Sequence, residues 1–426
     1  MFYDYLKTQM GISPQVVDFI AKIESEIAPI YKNADDTAAI NQLKVLDAMQ
    51  SCRLSDTHFN DSTGYGYNDE GRETLEAIFA KTFKTEAALV RPQIISGTHA
   101  LATALFGNLR PGDVLLSPVG KPYDTLESVI GIRSASGSLA EYGVTYRQVD
   151  LLENGKFDYE AIRKHLADKP KMVTIQRSKG YSWRLSFTIQ ELRELIACIR
   201  TESPDTIILV DNCYGEFVQT EEPTEADLIV GSLIKNPGGG IAPGGGYVAG
   251  KKEYVEAAAE RLTAPGIGSA VGPSLGMTRS ILQGFFLAPQ TVSASLKGAI
   301  LAAAAFSRLG FDVNPGLSDT RSDIVQAIKL KTPENVLAFC GAIQKAAPVD
   351  GYVTPEPAPM PGYGHNVVMA GGTFIQGSSI ELSADAPMRE PYIVYFQGGL
   401  TPAHSRTGVI FALDALYKEG AIMLMP

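Results

Sequence analysis

The sequence predicts an α/β fold, with a large unit built on a mostly parallel sheet flanked by helices and a smaller α+β unit after it. Three observations lead there. Between about residues 74 and 250, short apolar runs alternate with amphipathic stretches, the pattern of strands joined by crossover helices. Several runs close on polar residues, as in IILVD ending at Asp211 and DLIVGSLIK ending at Lys235. Beyond about residue 310 the texture changes, and NVVMAGGTFIQGSSIELSADAP and PYIVYFQGG read as strands with turns.

From the N-terminus, PQVVDFIAKIESEIAPI puts Val17, Ile20 and Ile27 near one face of a helix over 14–50, which Pro29 is expected to interrupt. Strands are expected at 113–117, 145–149, 172–176, 207–211 and 228–232. Helices are expected between them at 126–132, 159–166 and 189–199, the last opened by a capping box of Thr188 and Glu191. A long helix is expected from about 275 to 305, and another at the C-terminus. The expected division is an N-terminal helical segment (1–60) packing on the small unit, a large cofactor-binding domain (61–290) and a small C-terminal domain (291–426).

The 426 residues are 45% hydrophobic and 20% charged, an ordinary globular composition for sizeable cores. A net charge of −10 argues against nucleic acid or an anionic membrane as the main partner, since those need clustered Lys and Arg. Cys52, Cys198, Cys213 and Cys340 show neither metal spacing nor a disulfide framework, so a reducing cytoplasm is expected. The histidines are scattered and no metal site is expected. The N-terminal residues lack the basic head and apolar run of a secretion signal, and no stretch has the length of a membrane span.

In an open α/β sheet, ligands sit at the carboxyl ends of the strands. Asp211 ends one strand, and a buried carboxylate there needs a positive partner. Twenty-four residues on, Lys235 ends the next run and opens the loop NPGGGIAPGGG. Its glycines would let backbone pass close to a planar group, and such a lysine can form an imine, particularly if its pKa is depressed. Ser232 offers a hydroxyl to a phosphate. Upstream, SGTHALATALFGNL turns into a helix whose first N–H groups, at Gly97 and Thr98, would face an anion, and His99 could bond locally. Tyr123, in GKPYDTLESVIG, could stack on a planar ring. Alone, each has an ordinary structural explanation: a cap, a salt bridge, a solvated loop. Their order along the chain is explained by one planar, anionic cofactor with a carbonyl carbon and a basic ring nitrogen.

These residues resemble the fold-type I enzymes that use pyridoxal 5'-phosphate (PLP). The blocks STGYGYNDEGRETLE, SGTHA, GKPYDTLESVIG, QRSKGYSW, VDNCYGEF, SLIKNPGGGIAPGGGY, LQGFFLAP and YFQGGLTPAH look like the methionine gamma-lyase-like family, related to the cystathionine lyases, whose bacterial members are often labelled aluminium-resistance proteins. The likeness runs from about residue 15 to the C-terminus.

The resemblance implies Lys235 as the imine lysine, Asp211 as partner of the ring nitrogen, Tyr123 as the stacking aromatic and possible proton donor, and Gly97, Thr98 and Ser232 as phosphate contacts. It also implies a homodimer or homotetramer with shared active sites, where Tyr65 or Tyr67 of a neighbouring subunit reaches the phosphate. For the substrate's α-carboxylate, Arg389 is the first choice and Arg406 the second. A lysine-containing stretch is expected near 404–408, where this chain has SRTG, so that choice stays open. Arg177, Ser178 and Tyr181 are further candidates for orienting the ring. The implied activity is elimination of a thiol from a sulfur-containing amino acid; the alternatives are an aminotransferase or other amino-acid-processing PLP enzyme, or a phosphate-binding module built on the glycine loop.

Overall fold

The computed structural model describes residues 1–424. Among them, two sheets organise the chain. The larger contains β1 (Ala87–Arg91), β2 (Val114–Ser117), β3 (Thr145–Gln148), β4 (Met172–Gln176), β5 (Ile207–Asp211), β6 (Leu228–Ser232) and β7 (Gly246–Gly250), in the order β1-β7-β6-β5-β4-β2-β3. Strands β2 to β6 pair in parallel, while β7 runs antiparallel to both β6 and β1. The smaller, antiparallel sheet contains β8 (Val313–Asn314), β9 (Gln326–Lys329), β10 (Ala358–Pro359), β11 (Asn366–Ala370), β12 (Ser383–Pro387) and β13 (Ile393–Gln397).

Helices α1 (Phe2–Thr8) and α2 (Pro14–Ser51) precede the large sheet, and α3 (Glu70–Thr82), α4 (Gly97–Asn108), α5 (Asp124–Ile130), α6 (Tyr159–Leu166), α7 (Ile189–Glu202) and α8 (Lys252–Leu262) are threaded through it. Helix α9 (Thr278–Arg308) leads to the second sheet, which carries α10 (Pro333–Ala346) and α11 (Pro402–Lys418).

The central strands are buried on both faces, which is why they read as continuous apolar runs. Successive side chains go to opposite cores: Leu116, Ile208, Val210 and Ile229 to the one containing α3 and α7, and Leu115, Leu209, Leu228 and Val230 to the one containing α4 and α8. A third core joins the second sheet to α1, the start of α2 and the end of α9.

Two expectations change. Helix α2 continues through Pro29. Pro29 is exposed, and the helix is held on both sides of it: Ile20, Ile23 and Ile27 enter the second-sheet core, while Val45 and Ala48 enter a large-sheet core. Packing at both ends outweighs the one hydrogen bond that the proline removes. The sheet also gains β1 and β7, whose short runs, glycine-bounded in β7, carry a weak strand signal. The expected division at 290 falls inside α9, which spans both cores.

Candidate active site

A cleft of about 310 Å³ is lined by residues from the carboxyl ends of the large-sheet strands and from the second sheet. Gly97, Thr98, Tyr123, Asp211, Ser232 and Lys235 all line it. The strands explain the gathering: Asp211 is the last residue of β5, Ser232 is the last of β6, and these strands pair in parallel.

Three residues beyond β6, the Lys235 backbone N–H donates to the Ser232 carbonyl at 3.3 Å. Its Nζ lies 3.9 Å from the ring centroid of Tyr214, a residue in the left-handed region at φ 70°, an unfavourable conformation held by its surroundings. Asn236 secures this arrangement, donating from Nδ2 to the carbonyls of Tyr214 (3.0 Å) and Glu216 (2.9 Å). The glycines after Lys235 have a different use from the one expected. A Cβ on Gly238 would lie 1.7 Å from the Leu233 carbonyl oxygen, and one on Gly239 would lie 2.4 Å from that of Gly284. They allow the loop to fold on itself and to press on α9.

The electrostatics centre on one ammonium among buried acids. Burial pushes the Asp211 carboxyl up, opposed by Lys235 and by the Cys213 N–H that donates to it at 3.1 Å. Burial pushes the Glu216 carboxyl up to about 8. For Lys235, burial favours the neutral amine, but Cys213, Tyr214, Asp211 and Glu216 together outweigh it and raise the pKa. The protein alone therefore does not depress this lysine.

At the N-terminus of α4, the Ser96 hydroxyl caps the His99 N–H at 3.0 Å and His99 Nδ1 accepts from Ile95 at 3.2 Å, the local role open to it. Gly97 and Thr98 form the first turn beside the cleft. A Cβ on Gly97 would lie 3.3 Å from Cys213 Sγ and 3.4 Å from Ser232 Cβ. The Ser232 hydroxyl is buried there without a hydrogen-bond partner. Burial and the neighbouring Tyr363 raise the Tyr123 pKa, so its phenol is neutral, with the two hydroxyls 2.6 Å apart.

Other candidates lie elsewhere in this chain. Tyr65 and Tyr67 are exposed and stack on each other at 5.4 Å. Their loop is held from beneath by buried Arg72, which donates to the Gly66 (2.6 Å) and Gly272 (2.9 Å) carbonyls. Exposed Arg389 lines a separate pocket with Tyr181 and Tyr395. Arg406 pairs with Glu24 at 3.3 Å and lies 3.8 Å from the Phe2 ring centroid, fastening the N-terminal helices. Of the further candidates, Ser178 lines the cleft, whereas Arg177 is buried and bonds Asn212, Gly215 and Gln219, bracing the loop after β5. The sequence reading missed Tyr214, Tyr363, Gln176 and Asp385, all of which line the cleft.

These features fit PLP. A buried, partnerless hydroxyl beside a helix N-terminus suits a phosphate. A buried carboxylate suits a cationic ring nitrogen, and a lysine beside it supplies the attachment.

The comparisons agree with this chemistry. A family model described as methionine gamma-lyase matches residues 16–417. The uncharacterised YnbB protein of Bacillus subtilis (strain 168) is 51% identical over 405 residues, covering 94% of this chain and 96% of its own. The crystal structure of a carbon–sulfur lyase involved in aluminium resistance, from Clostridium novyi NT, is 49% identical with a TM-score of 0.92, and the match covers 96% of this chain and 98% of that one. The PLP-dependent protein YhfS of Escherichia coli (17% identical, TM-score 0.59, covering 89% of this chain and 96% of that one) shares the fold. So does cystathionine gamma synthase of Xanthomonas oryzae pv. oryzae (18% identical, TM-score 0.53, covering 81% and 86%). The fold is that of the fold-type I PLP enzymes.

Proposed function

Because this chain belongs to the methionine gamma-lyase family, we propose that it is a PLP-dependent carbon–sulfur lyase. It would split a sulfur-containing amino acid by α,β- or α,γ-elimination into a 2-oxo acid, ammonia and a thiol. The observation that carries the reading is the single cleft shared by Lys235, Asp211, Tyr123, Ser232 and the first turn of α4.

Bound PLP supplies an electron sink for the charge left when the α-proton departs. Lys235 is its attachment point and, once freed, the general base that takes the α-proton at Nζ. Its acidic neighbours raise the pKa of the ammonium; if Asp211 were paired with a cationic ring nitrogen, less of that charge would act on Lys235 and the amine would be a better base. Asp211 keeps the ring nitrogen protonated. Ser232 and the N–H groups of Gly97 and Thr98 hold the phosphate, and Tyr123 packs on the ring. When the carbon–sulfur bond breaks, sulfur leaves with the electron pair and takes a proton, for which the neutral Tyr123 phenol is the candidate donor; where the sulfur is on Cγ, a Cβ proton must be taken first, for which Lys235 Nζ is the candidate base. Water then releases ammonia and leaves the 2-oxo acid. Arg389, exposed beside Tyr181, is the proposed α-carboxylate contact that a closing of the cleft would bring in.

The test is the visible absorption band of purified protein with thiol and 2-oxo acid release, measured without an amino acceptor. The reading expects a band and both products in the native protein, and neither in Lys235→Ala. A band without 2-oxo acid release unless an acceptor is added would indicate transamination instead.

A further inference from the structure

The second sheet sends one side chain onto the residue proposed as proton donor. The hairpin joining β10 and β11 carries Tyr363 into the cleft, where its hydroxyl lies 2.6 Å from that of Tyr123. Tyr123 is the N-cap of α5, and Arg133, just after that helix, fastens hairpin and helix together. Its Nη2 donates to the Asp124 carbonyl at 2.7 Å and to the Gly362 carbonyl at 2.8 Å. Gly362 permits the approach, since a Cβ there would lie 2.9 Å from Thr125 Cγ2. The meeting of the two hydroxyls is thus held from outside the pair.

The two phenols differ. Burial raises the pKa of both, that of Tyr123 further. Tyr363 is half-buried, and its hairpin neighbours Pro361 and Gly364 are exposed. Tyr181 also stands near, its ring centroid 5.6 Å from that of Tyr123, but its hydroxyl is buried.

On the lyase reading, Tyr123 gives its proton to the departing sulfur: its O–H bond breaks, an S–H bond forms, and a phenolate is left where burial disfavours charge. That phenolate must regain a proton before the next turnover. Among the described residues, Tyr363 is the hydrogen-bond partner of its hydroxyl, and either oxygen of the pair can donate.

We propose that Tyr363 acts on the elimination through Tyr123, positioning its hydroxyl and returning its proton after the thiol forms. The Tyr363 O–H bond breaks as the Tyr123 O–H bond re-forms, and Tyr363 then takes a proton from solvent water. Elimination as a whole takes up no proton, so the one drawn from water is balanced by the α-proton that Lys235 later releases. This rests on the lyase reading, and the test separates the two.

Tyr363→Phe is the main variant, with Tyr363→Leu made in parallel so that one failing to fold leaves the other. Exchange of the α-proton of L-norleucine in heavy water, followed by NMR, reports the step before sulfur leaves. Thiol release is measured from the S-ethyl and S-(para-nitrophenyl) thioethers of cysteine or homocysteine, whichever the native protein cleaves; the aryl thiolate leaves without needing a proton. In the variants, kcat on the S-ethyl substrate is expected to fall at least about tenfold with KM unchanged. Exchange and aryl thiol release should stay within about twofold of native. Adding Tyr363→Phe to Tyr123→Phe should cost nothing further, because the one hydroxyl works through the other. Equal losses in exchange and in thiol release would mark a merely structural role and overturn the inference, as would a further loss in the double variant. A native protein that exchanges the α-proton yet releases no thiol overturns the lyase reading and the inference with it, whereas native thiol release that Tyr363→Phe leaves untouched overturns the inference alone.

Discussion

At Lys235, burial pulls the ammonium towards neutrality and four acidic neighbours pull it back. A second buried lysine, Lys179, shows the opposite balance: burial lowers its pKa to about 7 despite Asp323. Its Nζ donates to the Asn314 carbonyl and side-chain oxygens, each at 2.7 Å, which makes it a tie between the two sheets. Position beside the cleft, and not pKa alone, selects Lys235. Removing the charge in Asp211→Asn should leave the visible band but cut thiol release by at least about 100-fold, since charge stabilisation aimed at a developing carbanion is lost; activity near native would contradict the role. Asp385 gives a pH prediction. Burial pushes its carboxyl up to about 6, opposed by Gln397 and Lys235, with Tyr123, Tyr181, Tyr214 and Tyr363 facing it. It is charged above that value and neutral below. A carboxyl raised in the folded state costs stability as pH climbs from its ordinary value through about 6, read as a urea midpoint that falls over that range. Asp211 and Lys235 were legible in the sequence because strand ends fix where they stand. Tyr214 was not, because its place depends on a left-handed backbone, and Asp385 was not, because it arrives from a strand 150 residues beyond Lys235.

The elements that position these residues are of two kinds. Strands β4, β5 and β6 could be read to the residue because both faces are buried and the runs are apolar throughout. Loops between elements could not, since their geometry is set by side-chain bonds to distant carbonyls. Asn236 is the clearest case: its amide ties the lysine loop to the loop after β5. Asn236→Ala would leave two buried carbonyls short of a donor and should lower stability by roughly 1–3 kcal/mol, read as a reduced urea midpoint with unchanged slope. Because the same amide places Tyr214 beneath Lys235, this variant should also retain cofactor less well. A stability equal to native would show that the loops hold each other by packing alone. The glycine loop teaches a related lesson. Its composition suggested room for a ligand, yet Gly238 and Gly239 are spent on backbone contacts with Leu233 and Gly284.

At the scale of the molecule, two sheets close one cleft, and α2 and α9 bridge both cores. The α/β class and a smaller α+β unit of strands and turns were legible from periodicity and texture; the antiparallel pairing of that second sheet was not. Which arginine serves the substrate was not, because Arg389 and Arg406 both lie outside the cleft in a single chain. Tyr65 and Tyr67 extend the account to a second copy. They are exposed side by side on a loop fixed by Arg72, so they are presented outward by the fold. We expect a dimer or tetramer by light scattering, in which changing both tyrosines to alanine weakens cofactor retention. A monomer with full cofactor occupancy would remove them from the site.

The central claim is that Lys235 carries the cofactor. Borohydride reduction of the purified protein, followed by peptide mass spectrometry, tests it most directly, since reduction fixes a lysine imine permanently. The account predicts a pyridoxyl-phosphate adduct on the peptide containing Lys235. An adduct on Lys179, or on no lysine in a protein that shows the visible band, would contradict it.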